Sequence, residues 1–193
     1  MIRPATEQDV PEILAIYAPY VETSTATFEY DVPCRRSFLQ RFYDITAQIP
    51  WLVWEENGTI LGYAYASAPF ARPAYAWCAE PSIYLAQDAR GKGIGRKLYA
   101  ALEAILKDQG YQVLYALITE ENTASLHFHQ RQNYSFLANF PNCGYKFNRW
   151  LGVTWMEKRI SPVRAPNSYP VPFSKYCQDV QRLCDILDTL SLS

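Results

Sequence analysis

Little in this sequence supports metal, disulfide or membrane chemistry. Histidine occurs twice, as His127 and His129, and the five cysteines (Cys34, Cys78, Cys143, Cys177, Cys184) are scattered, with no pair in C-x-x-C spacing. Such spacing gives neither a zinc site nor a disulfide framework. Free thiols, buried or partly buried, in a reducing cytoplasm are expected instead. No apolar run approaches a membrane span, and no basic-then-apolar secretory leader opens the chain. Lys+Arg number 18 against 19 for Asp+Glu, so no overall field draws in nucleic acid or an anionic membrane. Internal repeats are absent. What remains is 49% apolar content over 193 residues, enough for one domain with a full core and short for two. Fifteen tyrosines suit a lined cleft.

Periodicity divides the chain. Met1 to Pro4 reads as a strand, and Thr6 caps a helix with Glu7 and Asp9 in its first turn and Ile13, Leu14 and Tyr17 at helical spacing. Phe38, Phe42 and Ile45 mark a second amphipathic helix ending near Pro50. Trp51 to Trp54, the Asn57-Gly58 turn signal, and Ile60 to Ala66 make a hairpin. A third strand runs from about Tyr75 to Leu85. Leu98, Leu102, Ile105 and Leu106 form one face of a helix that Gly110 terminates. A strand over Val113 to Ile118, a helix over Asn122 to Gln132, and strands over Tyr134 to Phe140 and Arg149 to Arg159 complete the pattern. Helices set between strands of one mixed sheet predict an α/β (or α+β) single domain over 1–160. Residues 161–193 differ: Pro162, Pro166, Pro170 and Pro172 exclude continuous helix or central strand. From about Lys175 an amphipathic helix follows, with Tyr176, Val180, Leu183, Leu187 and Leu190 on one side.

The densest chemical signal is Arg90-Gly91-Lys92-Gly93-Ile94-Gly95-Arg96, a glycine turn between a strand and a helix. Glycines let successive N–H groups converge, a helix N-terminus adds its positive dipole end, and Arg90, Lys92 and Arg96 add cations. That suits phosphate, although a plain tight βα turn uses the same residues. The spacing is not GxxxxGK[ST], nor the GxGxxG of an early Rossmann strand.

Arg90-x-x-Gly93-x-Gly95 resembles the [QR]xxGx[GA] acetyl-coenzyme A signature of the GNAT superfamily of N-acetyltransferases. Further segments resemble its phosphinothricin-type branch over residues 1 to about 160. They are Ile2-Arg3-Pro4-Ala5-Thr6, Thr25-Ala26-Thr27-Phe28, Arg72-Pro73-Ala74-Tyr75, Glu80-x-Ser82-Ile83-Tyr84, Asn122-x-x-Ser125 and Gly144-Tyr145-Lys146-Phe147-x-x-Trp150. The resemblance implies a GNAT-like mixed sheet with helices on both faces and a C-terminal helical extension. It also implies acetyl-coenzyme A as cosubstrate, no metal, a small-molecule amine acceptor and a homodimer.

Acetylating an amine requires a neutral nucleophile, an exit for its proton, a partner for the oxyanion and a proton for the thiolate. Glu80, in an apolar strand beside Trp77, Ile83 and Tyr84, has the desolvated surroundings a base needs, and the resemblance places the base there. A solvent-facing strand glutamate is the plainer alternative. Pro81 cannot donate to a ladder and marks an edge or bulge where the sheet parts. The resemblance further implies that the backbone of Ile83, Tyr84 and Leu85 holds the pantetheine arm, with the Leu85 N–H as oxyanion donor. Arg90 to Arg96 would hold the pyrophosphate and Asn122 would contact the cofactor, although a helix cap explains Asn122 equally well. His129 stands at the family's acid position, as a proton donor to the thiolate, a partner of the glutamate's water, or a packed helical residue. His127 reads as surface, and Asn133 as a left-handed cap in place of glycine. The resemblance implies that Phe28, Arg72 and Tyr75 approach the acceptor, where Arg72 suits a carboxylate or tetrahedral oxyanion. Gly152 replaces a frequent aspartate. The expected reaction is acetyl transfer to an amino-acid-like amine of the phosphinothricin, methionine sulfoximine or methionine sulfone type. A protein N-terminus or polyamine as acceptor, and a non-catalytic coenzyme A sensor, are the alternatives.

Overall fold

A computed structural model describes residues 1–162 and 164–191, with the side chains of 188, 190 and 191 outside that description. The Thr6 N–H donates to the Asp9 carboxylate at 2.7 Å, closing a short 3₁₀ turn over Glu7–Asp9 that leads into helix α1 (Val10–Thr23). Asp9 also takes both Arg3 NH groups (2.7 and 2.8 Å), tying that turn to strand β1 (Ile2–Pro4). Helix α2 (Arg35–Thr46) stops four residues before Pro50. Strands β2 (Trp51–Glu56) and β3 (Thr59–Ser67) form the expected hairpin. Asn57 and Gly58 both take positive φ (52° and 78°), the geometry a two-residue type I′ turn requires.

Strand β4 (Cys78–Leu85), helix α3 (Ile94–Gln109), strand β5 (Val113–Thr119), helix α4 (Thr123–Arg131), and strands β6 (Ser135–Lys146) and β7 (Arg149–Arg159) follow. One seven-stranded mixed sheet results, in the order β1-β2-β3-β4-β5-β7-β6. Helices cover both faces. On one, Ile13, Tyr17, Phe38 and Phe42 bury Trp51, Tyr63 and Tyr84; on the other, Leu98, Leu102 and Ile105 bury Leu114, Ala116 and Met156. No described helix is long and apolar enough to cross a membrane.

Four expectations differ. β4 begins at Cys78 because Pro73 opens a 3₁₀ turn over Pro73–Tyr75. β6 runs six residues past Phe140, since an edge strand tolerates Pro141, with the register shift between Phe140 and Gly144 absorbing Asn142 at φ 52°. Cys34, Cys143 and Cys184 are exposed rather than buried, and all five thiols are free. The tail helix divides into α5 (Phe173–Tyr176) and α6 (Val180–Ser191). Phe173, Tyr176, Leu183 and Leu187 are buried, whereas Val180 is 64% exposed because the break at 177–179 turns it outward. The expected contribution of Leu190 lies outside the described residues.

The tail docks on its own chain. Gln109 donates its side-chain amide to Gln48 O (3.0 Å) and Val171 O (2.7 Å), and the Tyr176 hydroxyl donates to Asp108 at 2.6 Å. Arg182 pairs with the same aspartate at 2.5 Å. Ahead of α5, the Tyr169 ring stacks on Trp77, and the Trp77 indole donates to Ser168 O at 3.0 Å.

Candidate active site

The sheet splits at its centre. β4 and β5 are parallel and paired only at Cys78–Val113 and Ala79–Leu114; beyond these the strands diverge. Pro81 lies just past the split and stays in register with Ala66 of β3, so it forms no bulge. The Ala86 N–H donates to Leu61 O on β3 at 2.9 Å. Strand alternation then turns the main-chain groups of Tyr84 toward β3 and those of Pro81, Ile83 and Leu85 toward the gap. The proline's missing donor therefore removes no bond to β3. Tyr84, expected to offer backbone groups to a ligand, instead spends them on the ladder. A cleft of about 700 Å³ opens here, with Glu80, Ile83, Leu85, Arg90, Asn122 and His129 among its lining residues.

Glu80 is half-buried, and desolvation alone raises its carboxyl above the ordinary glutamate range. By the β4–β5 register it shares a sheet face with Tyr115, which Phe70 meets at 6.1 Å and next to which Phe70 stacks on Trp155 at 5.9 Å. His129 is buried on α4. Its Nδ1 sits 2.8 Å from Ser125 O, an acceptor only, so Nδ1 carries the proton and Nε2 accepts the Tyr99 hydroxyl at 2.8 Å. Burial pulls the imidazole down to about 4, which leaves it neutral. The Tyr99 hydroxyl also lies 3.3 Å from Pro81 O, linking α3, α4 and the parted strand. Tyr99 was hidden in sequence within a leucine-rich helical face.

The glycine turn has the conformation its composition predicted. Gly91 and Gly93 adopt positive φ (78° and 80°), which L side chains rarely take. Gly95 faces the cleft, where a Cβ would meet Ile83 and Leu85 at 3.4 Å. Arg90 and Gly91 line the cleft as well, whereas Lys92, Gly93 and Arg96 are exposed on the outer turn and Ile94 is buried beneath it. An N–H-bearing turn opening a 16-residue helix beside a cleft guanidinium fits a pyrophosphate. Asn122 caps α4, its side chain accepting the Ser125 N–H at 3.2 Å while facing the cleft. His127 is exposed, and Asn133 takes φ 64° as the left-handed cap. Among the described residues no cluster of His, Cys, Asp or Glu is placed to hold a metal.

The residues expected at the acceptor divide. Arg72 and Tyr75 are on the exposed turn before β4, with the Tyr75 ring 4.5 Å from Phe70. The Phe28 ring lies against Gly144, where a Cβ would come within 2.2 Å of it. The loop carrying Phe28 is fastened by a residue given no role in the sequence reading. Lys146, 2% exposed, donates to Val21 O, Ser24 O and Thr27 O at 2.8, 2.9 and 2.8 Å. At the cleft mouth Arg149 grips Glu121 with two hydrogen bonds (2.5 and 2.8 Å), and Thr25 donates to the same carboxylate at 2.7 Å. Gly152 has a local reason: a Cβ there would meet the Glu120 carboxylate at 2.3 Å, so a neighbouring acid fills the space of the expected aspartate.

Comparison with known proteins agrees with this geometry. Residues 2–155 match the acetyltransferase (GNAT) domain family. The chain is 36% identical over 162 residues to a phosphinothricin N-acetyltransferase of Alcaligenes faecalis, covering 83% of this chain and 82% of that one. It is 35% identical over 167 residues to an L-methionine sulfoximine/L-methionine sulfone acetyltransferase of Pseudomonas aeruginosa, covering 85% and 96%. A phosphinothricin acetyltransferase from Sinorhizobium meliloti, solved in complex with acetyl-coenzyme A, superposes with a TM-score of 0.83 at 31% identity, covering 88% and 94%. With its split sheet, glycine turn and these likenesses, the chain belongs to the GNAT family, as an N-acetyltransferase that takes its acetyl group from acetyl-coenzyme A.

Proposed function

We propose that this enzyme acetylates the primary amine of a small amino-acid-like acceptor, of the phosphinothricin or methionine sulfone type, with Glu80 as general base. The observation that carries the reading is the desolvated Glu80 carboxylate beside the point where β4 leaves β5. The names of relatives that align over most of the chain support the acceptor class. Acetyl-coenzyme A supplies the acyl group as a thioester. The chain's own residues do the rest. Glu80, whose proton affinity is raised by burial, takes the proton of the acceptor's ammonium, directly or through a water. The Arg90–Arg96 turn and Asn122 orient the cofactor, and the gap-facing groups of Ile83 and Leu85 receive its arm, with the Leu85 N–H toward the oxyanion. His129 is neutral, its one proton lies on Nδ1 toward Ser125 O and its Nε2 already accepts. The departing coenzyme thiolate therefore takes no proton from it and is neutralised by the proton that the attacking nitrogen loses. The role of His129 is to position the Tyr99 hydroxyl. Phe28, Arg72 and Tyr75 form the acceptor side, where Arg72 meets the acid group.

Glu80→Gln tests the reading. Turnover should fall by roughly a hundredfold or more with coenzyme A affinity retained, the pattern of a lost base. Turnover within about threefold of the native enzyme at saturating acceptor would make Glu80 structural only. A thiol-release screen of amino-acid sulfoximines, sulfones and phosphinates beside peptides and polyamines tests the acceptor class.

A further inference from the structure

Tyr20, on the last turn of α1, occupies the groups that the donor site needs. Its hydroxyl accepts the Leu85 N–H at 3.1 Å and donates to Leu85 O at 2.7 Å, satisfying both gap-facing main-chain groups of that residue. Its ring lies under the Arg90 guanidinium at 5.2 Å and packs edge-on against Tyr84 at 5.0 Å. One side chain thus holds a pantetheine-side partner and a phosphate-side partner together. A single hydroxyl that donates and accepts along a strand edge presents the hydrogen-bonding pattern of an amide. Tyr20 also divides two spaces: the main cleft and a smaller, largely apolar hollow of about 290 Å³ lined by Ala15, Ile16, Pro19, Ile60 and Ala86.

We infer that Tyr20 is an internal stand-in for the coenzyme arm: it keeps Leu85 and Arg90 paired in the free enzyme, is displaced when the cofactor binds, and thereby sets coenzyme affinity. The inference rests on the donor-site reading above. Both Leu85 groups are partly buried at the gap, and leaving either without a partner costs free energy. The hydroxyl removes that cost before the cofactor arrives, so the cofactor replaces existing bonds rather than adding new ones. The hollow behind the ring is where the phenol moves when it leaves Leu85, without unwinding α1. Val21 O, next in the chain, stays held by Lys146.

Coenzyme A itself is the probe, titrated by calorimetry into the full chain so that no turnover is needed. Tyr20→Phe keeps the ring under Arg90 and against Tyr84 but removes the hydroxyl. Its coenzyme A Kd should fall about fivefold, the scale of one net hydrogen bond. Amide hydrogen exchange at Leu85 gives the second readout. The amide should be protected in the free native protein, fast in free Tyr20→Phe, and protected again in both when coenzyme A is bound. Equal or weaker affinity in Tyr20→Phe overturns the inference, as does a Leu85 amide that stays fast in the Tyr20→Phe complex; in both cases the donor site stands. Failure of the native protein to bind coenzyme A overturns the donor-site reading and the inference together.

Discussion

Burial acts on Glu80 in two opposite ways. It raises the carboxyl's proton affinity, which suits a base, and it places an unpaired charge in a poorly solvated strand, which destabilises the fold. The folded-state pKa lies above the unfolded one, so the folded protein binds the proton more tightly. The contribution to stability is then fully present at acid pH and is lost as pH rises from about 4.5 through the raised value. Glu80→Gln should therefore melt higher than the native enzyme at neutral pH while turning over far more slowly. The acid limb of its kcat/KM profile should also disappear, and calorimetric melting beside a pH–rate series checks both. His129 has the opposite sign. Its folded value, about 4, is below the ordinary 6.5, so the unfolded chain binds the proton more tightly and stability drains away as pH falls from 6.5 to about 4. His129→Phe, which loses the Tyr99 bond, should melt lower at neutral pH but show a flatter pH dependence across that window.

The tail tests how far single elements can be read from periodicity. A chain ending at Ile160 loses four buried side chains, the Asp108 anchors and the Trp77–Tyr169 stack. It should keep acetyl transfer but melt roughly 5–10 °C lower, at about 2–4 °C per kcal/mol for a chain of this size. Leu183→Ala should cost about 2–5 kcal/mol as a core truncation, whereas Val180→Ser should be nearly silent in the same melts. In sequence these two positions looked alike. Apolar spacing told which helix faces face inward, and Asn57-Gly58 and Gly110 told where chains turn, because each rests on local backbone chemistry. The break between α5 and α6 depends on where Asp108 and Gln109 stand in space, and no local signal carries that. The site divides the same way. The glycine turn was legible from residue type and spacing, whereas Glu80 and Asn122 were singled out through the family resemblance. Tyr20, Tyr99 and Lys146 act through partners 18 to 125 residues away, and their own neighbourhoods read as ordinary amphipathic helix or strand.

Across the whole molecule the surface is uneven. β6 is an edge strand of twelve residues, with Phe136 66% and Phe140 47% exposed, and Trp150 on β7 62% exposed. Long apolar edges are usually covered. A second copy of the chain is the occupant the family resemblance implies, so sedimentation should give a dimer, and Phe140→Arg should shift it toward monomer. A different hazard comes from within. An enzyme that holds an activated acyl group beside its own polypeptide exposes its amines to it, and this chain has six lysines. Lys146 lies next to the cleft-lining Phe147, and burial lowers its ammonium below the ordinary lysine range, which by itself favours the reactive free amine. Its three hydrogens, however, are each committed to a carbonyl, so no lone pair is left to attack a thioester. The same clasp that fixes the Phe28 loop therefore shields the enzyme from modifying itself at a buried lysine next to the cleft lining. Peptide mass spectrometry after long incubation with acetyl-coenzyme A should find the label on exposed Lys92, Lys107 and Lys175 well before Lys146.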